Sequence, residues 1–347
     1  MPLKTRKNAV ALFNLAEKKR ASSKFLEAVP LYLGAQKAAD NDELRLSCIQ
    51  SAGDVYRMIG EFSKAANSYK TASSLARRLG DEPRSIDCLV GLGLSLRASG
   101  DIKTAIEIFD GALSFYKNNA DRHGYAFALW ATSGALRIKG DLKGALKGFK
   151  KAKTIFASLE DSSGVGYCLT GLGGASRVAG RYAESGGYYD QANKVFRGLK
   201  DLFGIAYSYC GMANSLRMRG RYKESLGYFK KAKTNYKKIG DIVSFAYTLW
   251  GEGSAYQLLG MNAEALKDFQ EAITLFKKSK DRRGLVYCAL TIGQAEIGNK
   301  PAKGIKTIKA ALSAAEALGL TVEAGYARRI LDAASDSKGT KLPVNLA

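Results

Sequence analysis

The chain has 347 residues, 46% of them apolar, with 54 lysines and arginines against 32 aspartates and glutamates, a formal charge of +22. No run of 18 apolar residues occurs, which argues against a membrane-spanning helix, and the basic excess favours acidic partners such as acidic peptides, nucleic acid or anionic lipid. The single histidine, His123, and the lack of any CxxC argue against a zinc site.

In chain order, residues 1–20 are basic and then weakly apolar. Glu17, Lys18 and Lys19 interrupt the apolar run, so the segment reads as a first helix rather than a secretory leader. Residues 1–42 form an N-terminal capping repeat, in which Phe25, Ala28, Tyr32 and Ala35 echo Phe62, Ala65, Tyr69 and Ala72. From 43 to 281 the chain repeats every forty residues. Gly60, Gly100, Gly140, Gly180, Gly220 and Gly260 mark one register, and Asp81, Asp121, Asp161, Asp201, Asp241 and Asp281 another. A repeat of this length signals a stacked array. Each unit predicts two helices. In one of them Asp201 caps the first, because its carboxylate accepts the free amides of the opening turn. Ile205, Tyr209, Met212 and Leu216 follow at helical spacing, and Gly220 ends the helix where a positive φ suits glycine. Tyr222, Leu226, Phe229, Ala232 and Tyr236 then carry the second helix. Residues 282–334 read as a degenerate repeat, with Gly293, Gly298, Ile308 and Ala311 in a register shortened by one, plus a last helix near 322–334 that covers the open edge. Residues 335–347 are expected to be a disordered tail.

Four of the five cysteines, Cys48, Cys88, Cys168 and Cys288, fall at one position of different repeats, and Cys210 stands apart. Cysteine here acts as a small buried apolar residue. Free thiols fit a reducing compartment, so a cytoplasmic location is expected.

The spacing of Gly93, Leu96, Gly100, Ile102, Ala105, Phe109 and Ala112, and again of Gly173, Gly180, Tyr182, Ser185, Tyr189 and Ala192, resembles the tetratricopeptide repeat (TPR). Its forty-residue length is similar to the subclass found in LGN/Pins and rapsyn. The resemblance implies an all-α, right-handed superhelical solenoid of about eight helix pairs plus a C-terminal capping helix. It also implies that the first helices line a concave groove.

The groove position four residues beyond the small packing residue holds Arg57, Arg97, Arg137, Arg177 and Arg217, then Gln257. At about 8–10 Å between packed helices, five arginines would span roughly 40 Å, the length of about a dozen extended residues. Arginine's planar fork suits carboxylate or phosphate, so the functional reading is an anion-binding ladder. The competing reading pairs each arginine with a nearby acid, and Asp54 stands one turn before Arg57. Other groove-facing positions hold Phe127, Tyr167, Tyr207, Tyr247 and Tyr287, a stripe that reads first as core. Trp130 and Trp250 are the better groove candidates. Ser51, Gly91, Ala131, Gly171, Gly211, Gly251 and Thr291 recur where a close approach, most simply by a neighbouring helix, needs a small residue. Asn214 alone matches the asparagines that hold a peptide backbone in LGN-type repeats. The residues of the chaperone-binding carboxylate clamp are largely absent. On the outer helices, Lys150, Lys151 and Lys153 recur as Lys230, Lys231 and Lys233 and read as a solvated face.

No acid–base or nucleophile pair stands out, and glycine-rich fragments such as the one at Gly171 lie within a helix rather than after a strand. The expectation is a binder with no enzymatic activity, no metal and no cofactor. Its basic groove would take an acidic peptide or protein segment. The alternatives are an RNA or single-stranded nucleic-acid-binding solenoid and a self-assembling oligomeric platform.

Overall fold

The computed structural model describes residues 2–335, 342 and 345–347, with side chains from residue 8 onward. Among these residues the chain forms seventeen α-helices and no strand. Eight consecutive pairs are α1 (Pro2–Ala21) with α2 (Phe25–Ala38), α3 (Asp42–Met58) with α4 (Phe62–Arg78), α5 (Glu82–Ser99) with α6 (Ile102–Asn118), α7 (Arg122–Lys139) with α8 (Leu142–Ser158), α9 (Ser162–Val178) with α10 (Tyr182–Leu199), α11 (Leu202–Met218) with α12 (Tyr222–Ile239), α13 (Ile242–Leu258) with α14 (Asn262–Ser279), and α15 (Arg282–Asn299) with α16 (Pro301–Ala317). A single helix, α17 (Thr321–Ser335), closes the series. Each helix packs on the next, and the first helices of adjacent pairs also touch. This is the all-α TPR-like solenoid expected from the repeat.

The punctuation works as the residue types dictate. Asp81, Asp121, Asp161, Asp201, Asp241 and Asp281 each accept a backbone N–H of the first turn of the helix they precede. The glycines forty residues apart all adopt positive φ, from 76° at Gly220 to 100° at Gly100, which spares the turn the strain a Cβ would bring.

The core is built by aromatics of the second helices. Tyr189 of α10 is nearly fully buried. A Cβ on Gly173 of its own pair would lie 2.8 Å from its ring, and one on Gly211 of the next pair would overlap it. Tyr69 sits likewise against Gly53 and Gly91, and Phe229 against Gly251. The recurrent small residues therefore receive the neighbouring helix, as the simpler of the two sequence readings expects.

Successive turns of the superhelix touch one another. A Cβ on Gly60, just past α3, would lie 2.5 Å from Val243 Cγ2 at the start of α13, and one on Gly240 would lie 2.9 Å from Leu26 of α2. The Thr321 hydroxyl of α17 donates to the Lys139 carbonyl at 2.5 Å. These contacts curl the inner face into a lumen, so the arginines surround a space rather than edge an open groove of the roughly 40 Å that helix spacing alone suggests.

Of the segment 335–347, expected as a disordered tail, the structure describes residues 335, 342 and 345–347. Ser335 ends α17, while Leu346 and Ala347 are 3% and 6% exposed. The apolar and hydrogen-bonding surface of the lumen gives those residues partners that sequence composition cannot reveal. Residues 336–341, 343 and 344 lie outside the described residues.

Candidate functional site: an arginine-lined lumen

The five arginines project from the ends of α3, α5, α7, α9 and α11, each near the helix C-terminus, where a cation is favoured by the helix dipole. Among the described residues none of them forms an ion pair. Asp54, the one acid that spacing offered, accepts instead from the Tyr69 hydroxyl at 2.6 Å and pairs with Arg20 at 3.4 Å.

Arg97 is half-buried. Its Nη1 donates to the Ala131 carbonyl at 2.9 Å and its guanidinium lies 5.6 Å from the Trp130 ring centroid. It occupies the space left by the missing side chain of Gly134. Arg217 repeats the arrangement over Trp250 at 5.2 Å, fully buried, with Nη2 donating to Asn214 Oδ1 at 3.1 Å. Arg57 Nε and Arg177 Nε are buried without a hydrogen-bond partner.

Charges held this way disfavour one another. Burial and then Arg137, with Arg57 and Arg283 further off, pull the Arg97 guanidinium down to about 10. Burial and then Arg177 pull Arg217 down to about 9. At Arg57 burial acts in the same direction, but Tyr69 and Asp54 outweigh it and raise the pKa. Arg57, Arg97 and Arg217 remain charged at neutral pH, so the lumen holds cations whose repulsion an incoming anion would relieve.

The lumen opens into two chambers. The larger, about 430 Å³, is lined by Arg57, Arg97, Arg137, Phe127, Trp130, Tyr167 and Tyr207. His123 and Asp161 also border it, 3.1 Å apart. The smaller, about 240 Å³, is lined by Arg137, Arg177, Asn214, Tyr247, Trp250, Arg283 and Tyr287. Gln257 borders a small recess beside Arg217, Asn345 and Leu346. The structure thus brings Arg57, Arg97, Arg137, Trp130, Tyr167 and Tyr207 around one space, Arg137, Arg177, Trp250, Tyr247 and Asn214 around the adjoining one, and Arg217 with Gln257 around the small recess.

Several of these residues already have structural work. The Tyr167 hydroxyl donates to Asp201 at 2.7 Å and Tyr247 to Asp281 at 3.4 Å, so each ties its helix to the capping residue of the next repeat. Trp250 is only 4% exposed and donates to Thr291 at 2.9 Å. Asn214 donates to the Cys210 carbonyl and accepts from Arg217, so it supports that arginine from behind.

Sequence reasoning misses Arg283, whose guanidinium pairs with fully buried Glu323 at 2.6 Å and stacks on Tyr287. It could not be found by periodicity, because the same place in other repeats holds His123, Ser163, Phe203 and Val243. On the convex side, Lys151 reaches the Tyr125 hydroxyl at 3.0 Å, Lys231 lies over Tyr209 and Tyr228, and Lys233 bonds the buried Glu252. The lysine runs are thus only partly a solvated face. Burial pushes the thiols of Cys88, Cys168 and Cys288 up to about 12, so they are poor nucleophiles.

A tetratricopeptide repeat family model matches residues 252–283. No curated protein matches the chain. Among solved structures, the Rap conjugation gene regulator of plasmid pLS20 in complex with the Phr* peptide is similar at a TM-score of 0.68, with 13% identity over 95% of this chain and 98% of that one. A Rap protein complexed with competence and sporulation factor is similar at 0.61, with 14% identity over 94% and 97%. The apo form of RapI is similar at 0.56, with 14% identity over 78% and 98%. At these identities the likeness is one of fold: the chain forms a TPR-like solenoid. No helix among the described residues is long and apolar enough to cross a membrane.

Proposed function

We propose that the protein is a TPR scaffold that binds an acidic peptide or protein segment in its lumen, and that it acts by binding rather than catalysis. The observation that carries this reading is that Arg57, Arg97, Arg137, Arg177 and Arg217 line the adjoining chambers and recess of one inner face, with no carboxylate among the described residues paired to any of them. A fold needs no such arrangement for stability, since each buried cation costs solvation. Carboxylates entering the lumen recover that cost through charge-assisted hydrogen bonds.

The larger chamber is of a size for a few residues of a ligand. Phe127 and Trp130, stacked at 5.5 Å, offer an apolar wall beside the guanidinium groups. Two of the similar solved structures are complexes, one with the Phr* peptide and one with competence and sporulation factor, which is consistent with a binding role here. The forty-residue subclass that includes LGN/Pins repeats suggests the same mode. Buried thiols with raised pKa values fit a reducing, cytoplasmic setting. Nucleic acid ranks below a peptide because Trp250, one of the two tryptophans available for base stacking, is buried under Arg217.

The test is capture of a fluorescein-labelled octaglutamate peptide at low salt. Arg137→Glu and Arg177→Glu are expected to abolish it while circular dichroism keeps its helical signal. Capture by both variants at wild-type affinity rejects the lumen as the site.

A further inference from the structure

The end of the lumen near Arg217 is already filled by the chain itself. Arg217 Nη2 donates to the Leu346 carbonyl at 2.7 Å, Arg217 Nη1 donates to Asn345 Oδ1, and Asn345 Nδ2 donates back to the Arg217 carbonyl at 3.1 Å. The hydroxyls of Tyr287 and Tyr326 both donate to the Ala347 carbonyl, at 3.3 and 3.1 Å. Leu346 joins the main apolar core. Among the described residues, the hydrogen-bond partners of this segment lie on the first helix of a pair or on α17. From these contacts we propose that the 345–347 segment is a built-in competitor, an internal stand-in that an acidic ligand must displace to engage Arg217 and the adjoining chamber. This inference rests on the reading of the lumen as the binding site.

Three features support displacement over permanent closure. First, the segment presents an amide and main-chain carbonyls to Arg217, all of them neutral acceptors. A carboxylate in the same place makes a charge-assisted bond about twice as strong. At Arg217 the occupant is therefore the weaker of the two chemistries the place can take. Second, it occupies only one end. Among the described residues none of this segment lines the chamber beside Arg57, Arg97 and Arg137, so a ligand can gain a foothold there before the exchange. Third, nine residues separate Ser335 from Asn345. A connection of nine residues spans at most about 30 Å, and a competitor joined through so few residues acts at an effective concentration near the millimolar range. An internal competitor of that kind weakens the apparent affinity for a ligand in proportion to its own occupancy, which is the conformational cost that removing it abolishes.

The experiment uses the full chain and labelled octaglutamate, read by fluorescence anisotropy. The neutral double substitution Asn345→Gly with Leu346→Gly removes the two side-chain anchors, the Asn345 amide and the Leu346 side chain, and leaves the main-chain carbonyls, every lumen arginine and the net charge intact. It is expected to tighten binding roughly 5- to 30-fold, in keeping with a tethered competitor. Equal affinity in both chains overturns the competition while leaving the lumen reading standing. No binding to either overturns the lumen reading and the competition with it. Independently, Leu346→Cys is labelled with a maleimide and the site read by mass spectrometry. Slow labelling that accelerates when octaglutamate is added supports exchange. Labelling as fast as in a denatured control, or unaffected by peptide, overturns it.

Discussion

Replacing Arg97 by methionine separates a ligand-binding arginine from a structural one. The fall of its pKa from 12.5 to about 10 through burial and Arg137 corresponds at face value to about 3 kcal/mol of opposition to the charge. Partial exposure and solvent screening reduce that to roughly 1–2 kcal/mol. Against this relief stand two losses: the stacking on Trp130, about 0.5–1 kcal/mol, and the hydrogen bond to the Ala131 carbonyl, about 1 kcal/mol. Methionine keeps most of the stem's packing. The terms nearly cancel, so Arg97→Met is expected to hold its urea unfolding midpoint within the equivalent of about 1 kcal/mol of wild type, as measured by circular dichroism. Its affinity for labelled octaglutamate should fall at least tenfold, because a hydrogen bond between charged groups is worth about 1.5–3 kcal/mol. The reasoning is refuted if stability drops by more than about 2 kcal/mol, the range of an ordinary large-to-small core change, while affinity stays as it was.

Other perturbations test the packing and the buried acids. Asp268 is pushed up to about 7 by burial and by Glu252, against the pull of Lys233, and its Oδ2 is buried without a partner. A raised carboxyl contributes no penalty below its unfolded value near 3.8, and stability is lost as pH rises through about 7. Asp268→Asn should therefore raise the unfolding midpoint at pH 8, by roughly 1–2 kcal/mol, and flatten the pH dependence between about 4 and 7; a midpoint that falls at pH 8 contradicts this. Gly211→Ala places a methyl into the Tyr189 ring, whereas a Cβ on Gly227 meets nothing within 4 Å. The first is expected to destabilise by about 1–2 kcal/mol and the second to stabilise by up to about 1 kcal/mol, so equal effects in thermal melts would disprove the sandwich of aromatics between glycines. Salt should weaken octaglutamate binding steeply in wild type and less in Arg97→Met, since fewer charges are then neutralised.

The repeat register carried most of the fold into the sequence because each unit must satisfy its own helix ends. Asp201 and Gly220 are legible one by one: only a short acceptor caps the first turn, and only glycine takes φ of 76° without strain. The glycine at 211 was legible as a close approach, but its partner, Tyr189, follows only from which helix lies beside it. At the site, periodicity located the arginines and not their surroundings. Arg57 and Asp54 stand one turn apart, yet the acid turns to Tyr69 because that hydroxyl is delivered by the second helix of the same pair. The lumen itself depends on contacts such as Gly60 with Val243, separated by more than four repeats. No local pattern encodes those, since they arise from small rotations summed along the stack. Asn345 was illegible for the same reason: three unremarkable residues acquire meaning only from Arg217 and Tyr287, which the fold brings to them.

The closure of the superhelix also changes what the arginines can select. On an open groove, guanidinium groups set one per repeat lie near or beyond the screening length and act almost independently. Curled inward, Arg97 feels Arg57, Arg137 and Arg283 together. Binding of one carboxylate then eases the charge on several cations at once, so a further acidic group gains less than the first, and it gains only where it also reaches the lumen. A peptide with clustered acids should outcompete one with the same number spread along its length. The cost of the empty lumen falls on the contacts that keep the turns together, among them Val243 on Gly60 and Leu26 on Gly240. An anion that lowers the repulsion should therefore also tighten those contacts, linking occupancy of the lumen to the stability of the whole solenoid through ordinary binding linkage.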